Sequence, residues 1–426
     1  MGAGIGNKGG NIQIMKIKWV LLLSAMLLLC GCQKDSGEKK IITLDIGEPS
    51  LQMQEAIDRF NASNDTYCIE VVDNTGVSDA FSVRALKLTA GEGPDIFVAG
   101  ADTHFQEFME KGVLEDLKPY IEADLKEEEY LTELLYAYER DGKVYAIETE
   151  FQIVGMVGAK EMFGDMEGWT LQEAIAMMEA HPEIERFENA EPLNVLRDLW
   201  LFGGIDMTDY DMLRECILFA EKYGKPLENY EQEIPGVNVL VVYGALKTPL
   251  SLANYEALYD TEICFIGFPR EDRNGLMTGN GGLSINAASP NKEGAWAFLR
   301  FLLEEEYQSG LENCFSVRKD VFEQKLAEYS VAPTFELYIP ETGETVTVET
   351  TYSSTNGKEI KPLTEEEMAY IEKLARSCIS TSGEVNYGAW AIIYEEAGAY
   401  FSDDRSIDVV MEAIENRVEL WLKESD

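Results

Sequence analysis

An α/β protein of two domains is what this sequence predicts, and three observations carry the prediction. The chain has 426 residues, about two to three times the usual single-domain length. It is 46% hydrophobic and 10% aromatic, enough to pack cores despite 78 acidic residues against 35 basic and a formal charge of −43. Strand-like and helix-like patterns alternate along it, the arrangement that lays helices on the faces of a sheet.

Taken in order, Ile41 to Ile46 reads as a strand, Gly47-Glu48-Pro49-Ser50 as a turn, and Leu51 to Asn61 as a helix with Met53, Ala56, Ile57 and Phe60 on one face. A strand follows at Cys68 to Val72, a helix at Ala80 to Thr89 and a strand at Asp95 to Val98. Ligands on such sheets sit at the carboxyl ends of strands, which singles out the loops at Gly47-Glu48 and Gly100-Ala101-Asp102. Further strands are expected at Ile153 to Val157, Val237 to Val242, Cys264 to Phe268 and Gly282 to Ile285. Helices between and around them are expected at Leu171 to Ala180, Asp211 to Tyr223 and Lys292 to Glu306. The alternation of Phe335, Leu337 and Ile339, then Val346 and Val348, around Glu341-Thr342-Gly343-Glu344 predicts a β-hairpin. Helices at Glu365 to Ser377, Ala389 to Phe401 and Ile407 to Lys423 close the chain.

The N-terminus carries a different signal. Lys16-Ile17-Lys18 followed by the apolar run Trp19 to Leu29 has the basic and hydrophobic regions of a secretory leader, and a leader starting at Met15 would already contain both. Its end, Leu29-Cys30-Gly31-Cys32, resembles the bacterial lipobox, which makes Cys32 the expected site of lipidation. The polar stretch Gln33 to Lys40 has the composition of a tether. Beyond it Cys68, Cys216, Cys264, Cys314 and Cys378 are isolated from one another, so buried free thiols are expected, with neither a zinc ligand set nor a redox pair. That usage suits the surface of a Gram-positive or anaerobic cell better than an oxidising periplasm.

Several chemistries are disfavoured. An acidic surface repels phosphate backbones, which argues against a nucleic-acid partner. The only histidines, His104 and His181, lie far apart with no metalloprotease or triad context. Gly4-Ile5-Gly6-Asn7-Lys8-Gly9 matches a dinucleotide fingerprint literally but follows no strand, and no P-loop sequence occurs. No catalytic residue, cofactor or metal is therefore expected. A paired-carboxylate hydrolase stays open as an alternative, because two of the 78 acids would suffice.

Four segments together carry a resemblance. Gly91-Glu92-Gly93-Pro94-Asp95-Ile96-Phe97, the run from Ser284 through Asn291-Lys292-Glu293 to Leu302 with Gln308 after it, Phe315-Ser316-Val317-Arg318-Lys319, and Ile393 to Phe401 resemble segments of extracellular solute-binding lipoproteins of carbohydrate-uptake ABC transporters, the maltose-binding-like family. The family's prolines are missing at Ala146-Ile147-Glu148-Thr149 and at Ser316. The resemblance implies a two-lobed, periplasmic-binding-protein-like fold of type II, with discontinuous lobes joined by a hinge. On that basis 41–147 and 269–316 form the N-terminal lobe, and 148–268 and 317–426 the C-terminal lobe, after a leader to residue 31 and a tether at 32–40. It implies a monomer anchored on the extracellular face of the cell membrane by lipid alone, partnered with ABC importer membrane subunits and a carbohydrate ligand. It implies a binder and not an enzyme; a non-sugar solute such as a peptide or polyol is the alternative within that class.

A sugar presents an apolar face and a rim of hydroxyls, so its cleft needs aromatic platforms beside carboxylates and amides. Trp296 and Trp421 sit at core spacings, and Trp169 precedes the N-cap candidate Thr170. Trp200, before Leu201-Phe202-Gly203-Gly204, and Trp390, where the resemblance places a cleft aromatic, are the ligand-binding candidates. Asp102 and Glu48 join them from strand-end loops, and Glu148, Phe151, Tyr243, Asn280 and Gly281 from hinge or loop positions.

Overall fold

The computed structural model describes residues 39–77, 79–99, 104–164, 166–182, 186–187, 190–204, 206, 208–225, 241–279, 281–380, 387–402 and 404–425. Cys32, Asp102 and Asn280 lie outside the described residues.

The chain opens with β1 (Lys40–Asp45), which leads into the Leu51–Ser63 helix. Ser50 starts that helix by accepting a hydrogen bond from Met53 N at 3.1 Å, and Ala56, Ile57 and Phe60 form its buried stripe. Next, β2 (Tyr67–Val71) pairs parallel to β1 with Ile42 opposite Ile69. After the Ala80–Thr89 helix, β3 (Ile96–Val98) pairs parallel on the other side, with Leu44 opposite Ile96. Parallel strands point their carboxyl ends one way, so the loops after β1, β2 and β3 share one mouth.

A second sheet is built on β4 (Ile153–Ala159), which pairs antiparallel with β5 (Val241–Leu246), β6 (Ile263–Phe265) and β7 (Met277–Thr278). The sequence Ile-Val-Gly-Met-Val-Gly-Ala is apolar throughout because both faces of β4 are covered. Ile153 and Val157 join a core continuous with that of the first sheet; Val154 and Met156 pack into a separate helix-covered core. The chain then returns through β8 (Leu283–Ile285), antiparallel to β3, which gives the first sheet the order β8-β3-β1-β2. The fold is the two-lobed α/β architecture of type II periplasmic binding proteins.

Strand pairing moves the lobe boundaries from those expected. Because Met277–Thr278 pairs with β4, the return to the first lobe falls between Thr278 and Leu283 and not at 269. Nor does the chain pass into the second lobe at 317. Phe322, on the Lys319–Glu328 helix, stays within 6.0 Å of the Phe151 ring and 5.5 Å of Phe315. The second lobe is met first at its Ser251–Tyr259 helix, where Thr355 N donates to Asn254 Oδ1 (3.1 Å) and Asn356 Nδ2 to Ala257 O (3.0 Å), and then at its sheet, where Tyr370 Oη accepts from Phe265 N (3.0 Å) and Ile379 bridges Met277. The expected strand at 237–242 is described only from Val241, and the expected helix at 292–306 breaks after Leu302, before a short helix at Glu305–Ser309. The hairpin forms as the alternation predicts, β9 (Thr334–Ile339) against β10 (Glu344–Glu349), with Phe335 opposite Val348 and Leu337 opposite Val346.

The family-like segments turn out to hold the frame together. Asp95 Oδ2 accepts from Thr43 N and Oγ1, both at 2.8 Å, and its other oxygen accepts from Ser289 Oγ. Asn286 Nδ2 donates to Pro94 O at 3.2 Å, so the first two segments close on each other across β3 and β8. Gln308 uses both ends of its buried amide: Nε2 donates to Thr149 O (2.6 Å) and Leu302 O (2.7 Å), while Oε1 accepts from Ser316 Oγ (2.6 Å) and Val317 N (3.0 Å). Every partner is satisfied, which fixes the crossing strand against the third segment.

Candidate functional site

The site begins at the mouth formed by the carboxyl ends of β1, β2 and β3. Asp45, the last residue of β1, is buried; Asn74 Nδ2 donates to its Oδ1 at 2.9 Å, and Arg84 approaches the same oxygen at 3.6 Å. Arg84 is buried on the first-lobe helix that starts at Ala80, and its guanidinium lies 4.8 Å from the centroid of Phe81 and 5.7 Å from that of Phe97. Phe81, in the first turn of that helix, is 54% exposed. A ring backed by a held guanidinium and open on its other side is a flat apolar platform, stiffened by a cation–π contact. Glu48 is exposed in the loop after β1, beside Gly47, whose φ of +72° suits glycine at a tight turn.

The hinge forms the floor. Ile147 and Leu283 exchange backbone hydrogen bonds at 3.0 and 2.9 Å, and Phe151 and Phe315 do so at 3.0 and 2.8 Å. Glu148 is 1% exposed between these bridges, and Tyr138 Oη donates to its Oε1 at 2.7 Å while accepting from Gly282 N at 2.8 Å. Burial, assisted by the nearby Glu150 charge, pushes the Glu148 carboxyl up to about 7 against the hydrogen bonds from Tyr138 and Thr278. Glu148 is thus a hinge strut with its side chain turned inward. Phe151 is also fully buried, its ring 5.4 Å from Phe315, and packs in the core beneath the floor. Between the inward Phe151 and Ile153, Gln152 is half-buried, and its carbonyl accepts from Gly279 N at 3.1 Å. Gly281 lies just ahead of the return strand β8, with φ +65°.

The second lobe carries an aromatic cluster. The Pro192–Gly203 helix carries Trp200 and the Tyr387–Phe401 helix carries Trp390, and the two indoles stack with centroids 4.4 Å apart and planes 8° from parallel. Trp200 is 2% exposed, and Trp390 is half-buried, the more open of the pair. Tyr387 meets Trp200 edge-on at 5.3 Å, and Tyr394 meets Trp390 edge-on at 5.9 Å. The helix can lie this close to the C-terminal helix because Gly388 has no Cβ, which would stand 2.3 Å from the Trp421 ring. Tyr243 lies in β5 opposite Met156. Trp169 is fully buried just before the N-cap Thr170, donating its Nε1–H to Gly267 O at 2.9 Å, and Trp296 is buried with its Nε1–H donating to Asp124 at 2.7 Å; both are structural, Trp296 as its spacing predicts and Trp169 as its place before the N-cap predicts.

The fold therefore brings Trp200 and Trp390 together and sends Phe151 into the core. Sequence reasoning missed Phe81 and Gln152. The strand-end logic that selected Glu48 applies equally to the loop after β2, where Asp79 caps the helix bearing Phe81; Gln152 is the half-buried position between two apolar ones on the crossing strand.

Residues 55–204 match the family of bacterial extracellular solute-binding proteins. No curated protein matches the sequence. Among solved structures, the sugar-binding protein MalE from Xanthomonas citri superposes with a TM-score of 0.55 at 14% identity, over 91% of this chain and 100% of the other. A solute-binding protein of an ABC transporter from Thermotoga lettingae, bound with α-D-tagatose, gives 0.52 at 15% identity over 89% and 99%. An ABC substrate-binding protein from Listeria monocytogenes, in complex with cycloalternan, gives 0.52 at 13% over 91% and 100%. These neighbours are solute-binding proteins, not enzymes.

Proposed function

We propose that this chain is an extracellular solute-binding protein that captures a sugar or oligosaccharide between its lobes by hinge closure and delivers it to an ABC importer. The observation that carries the reading is the Trp200–Trp390 stack at the second-lobe wall, since a half-buried indole stiffened from behind suits the apolar face of a pyranose. Phe81 supplies a second platform from the first lobe, Glu48, Gln152 and Gly281 supply polar groups at the rim, and Asp102, Asn280 and Tyr243 are proposed as ligand residues on sequence grounds. The solved neighbours named for tagatose, cycloalternan and MalE-type sugar binding support a carbohydrate solute. Cys32 anchors the mature protein by lipid on the outer face of the membrane, and no helix among the described residues is long and apolar enough to cross one.

A thermal-shift panel of mono- and oligosaccharides tests this. A ligand at about a hundred times its dissociation constant adds roughly 2.7 kcal/mol to the folded state. One or more sugars should stabilise the protein and be recovered intact; a panel without response, or a cleaved sugar, would overturn the reading. For the anchor, the intact mass of membrane-extracted protein should begin at acylated Cys32.

A further inference from the structure

A second cavity lies between the lobes, of about 440 Å³, and among the described residues neither a strand-end loop of the first lobe nor either stacked tryptophan lines it. Three arginines do: Arg140 from the first lobe, Arg376 at the end of the Glu365–Arg376 helix, and Arg270 from the loop after β6. In a chain with 78 acidic residues and 35 basic, a cavity chosen by chance would be lined mainly by carboxylates. Among the described residues, the lining carboxylates here are Glu133 and Asp272.

The guanidiniums are held in place by protein contacts. Arg140 Nη2 donates to Ser380 O at 2.8 Å, from the first lobe to the second. Arg376 reaches back to Glu133 at 3.4 Å and is braced by Glu372 at 3.0 Å. Arg270 makes a two-pronged contact with Asp272, at 3.0 and 3.1 Å, and donates to Phe202 O at 3.3 Å. The guanidinium is planar and carries five N–H donors, so one that already serves a carboxylate can still present an edge to another oxyanion. Asn274 adds a neutral amide to the same wall, beside Ser377, whose Oγ donates to Lys373 O at 2.8 Å.

We propose that this cavity is a site for a small polyvalent oxyanion, a polycarboxylate or a phosphate, distinct from the solute cleft. The volume falls in the range of small-molecule sites, and paired planar donors are the chemistry that recognises carboxylate and phosphate oxygens. Because both lobes contribute walls, an anion bridging Arg140 and Arg376 also senses the hinge. By linkage, whatever factor the anion applies to solute affinity the solute applies to the anion's.

The test uses the whole protein without sugar, titrated calorimetrically with citrate and, separately, inorganic phosphate at constant ionic strength set by sodium chloride. Stabilisation by exclusion of such salts from the surface does not saturate and ignores single substitutions, which separates it from a site. At least one of the two anions should give saturable binding, and whichever binds more tightly identifies the preferred oxyanion. Ser377→Asp, which places a negative charge on the wall, should weaken binding at least about tenfold, as loss of a charge-assisted contact does. Glu133→Gln, which removes a competing carboxylate, should tighten it. No saturable heat with either anion, or an affinity that either variant leaves unmoved, overturns the proposal. The solute reading stands or falls separately, on the sugar panel.

Discussion

The two walls proposed for the cleft are made by different means. On the first lobe a buried ion pair and an amide, Asp45, Arg84 and Asn74, hold the exposed ring of Phe81 in place through polar contacts at strand ends. On the second, two helices distant in sequence bring Trp200 and Trp390 face to face, so the platform is stiffened by packing. A polar support fixes position with little buried apolar area; an aromatic one ties the site to the stability of its lobe. Substitutions should therefore separate binding from folding on the first wall and couple them on the second.

The largest effect is expected at the back of the second wall. Trp200→Ala removes a fully buried indole and should cost about 3–5 kcal/mol of stability in denaturant unfolding. It should weaken solute binding as well, because Trp390 loses its support. A variant as stable as the wild type would break the claim that this wall is built by packing.

Next comes the floor between the walls. Folding raises the Glu148 carboxyl from 4.5 to about 7, so the folded state holds this proton more tightly than the unfolded chain does. The penalty is absent below about pH 4.5, grows as pH rises to about 7, and is then constant at about 3 kcal/mol. Glu148→Gln mimics the protonated form and should be the more stable protein at pH 8, with the difference closing as pH falls towards 4.5. Comparing the two proteins cancels the other carboxylates, and a difference that does not vary with pH would contradict the assignment.

The smallest effect on folding is expected at Phe81. More than half of its surface is already in water, so Phe81→Ala should change stability by no more than about 0.5 kcal/mol while weakening sugar binding by about 1 kcal/mol. Calorimetry on the variant checks both, and a stability loss comparable to that of Trp200→Ala would erase the contrast between the walls.

The same contrast explains what the sequence made legible. Asp95, Asn286 and Gln308 sit in segments with a recognisable pattern because each satisfies several buried partners at once and tolerates little change; these segments report the frame. Strand and helix alternation located β1 to β3 because each element shows its own period locally. Trp200 and Trp390 could be named as candidates, yet their stacking depends on how the Pro192–Gly203 and Tyr387–Phe401 helices cross, which no local pattern encodes. Nor did the Pro192–Gly203 helix announce itself, since Glu191 makes no capping hydrogen bond and only Pro192 marks the start. The boundaries moved for a similar reason. Met277–Thr278 is a two-residue strand whose membership in the second sheet is decided by pairing with β4, far away in the chain. Phe151 and Glu148 were read as cleft residues because hinge position alone does not say which way a side chain turns.

The central claim, that the front indole of the stack is the sugar platform, is tested most directly by measuring unfolding and sugar affinity together on Trp390→Ala. With Trp200 left in place behind it, the account predicts a loss of about 1–4 kcal/mol in binding to the sugar that best stabilises the wild type, with the larger share of the effect in affinity and not in folding. Affinity equal to the wild type's, alongside a stability loss of about 3–5 kcal/mol, would make Trp390 a core residue and contradict the account.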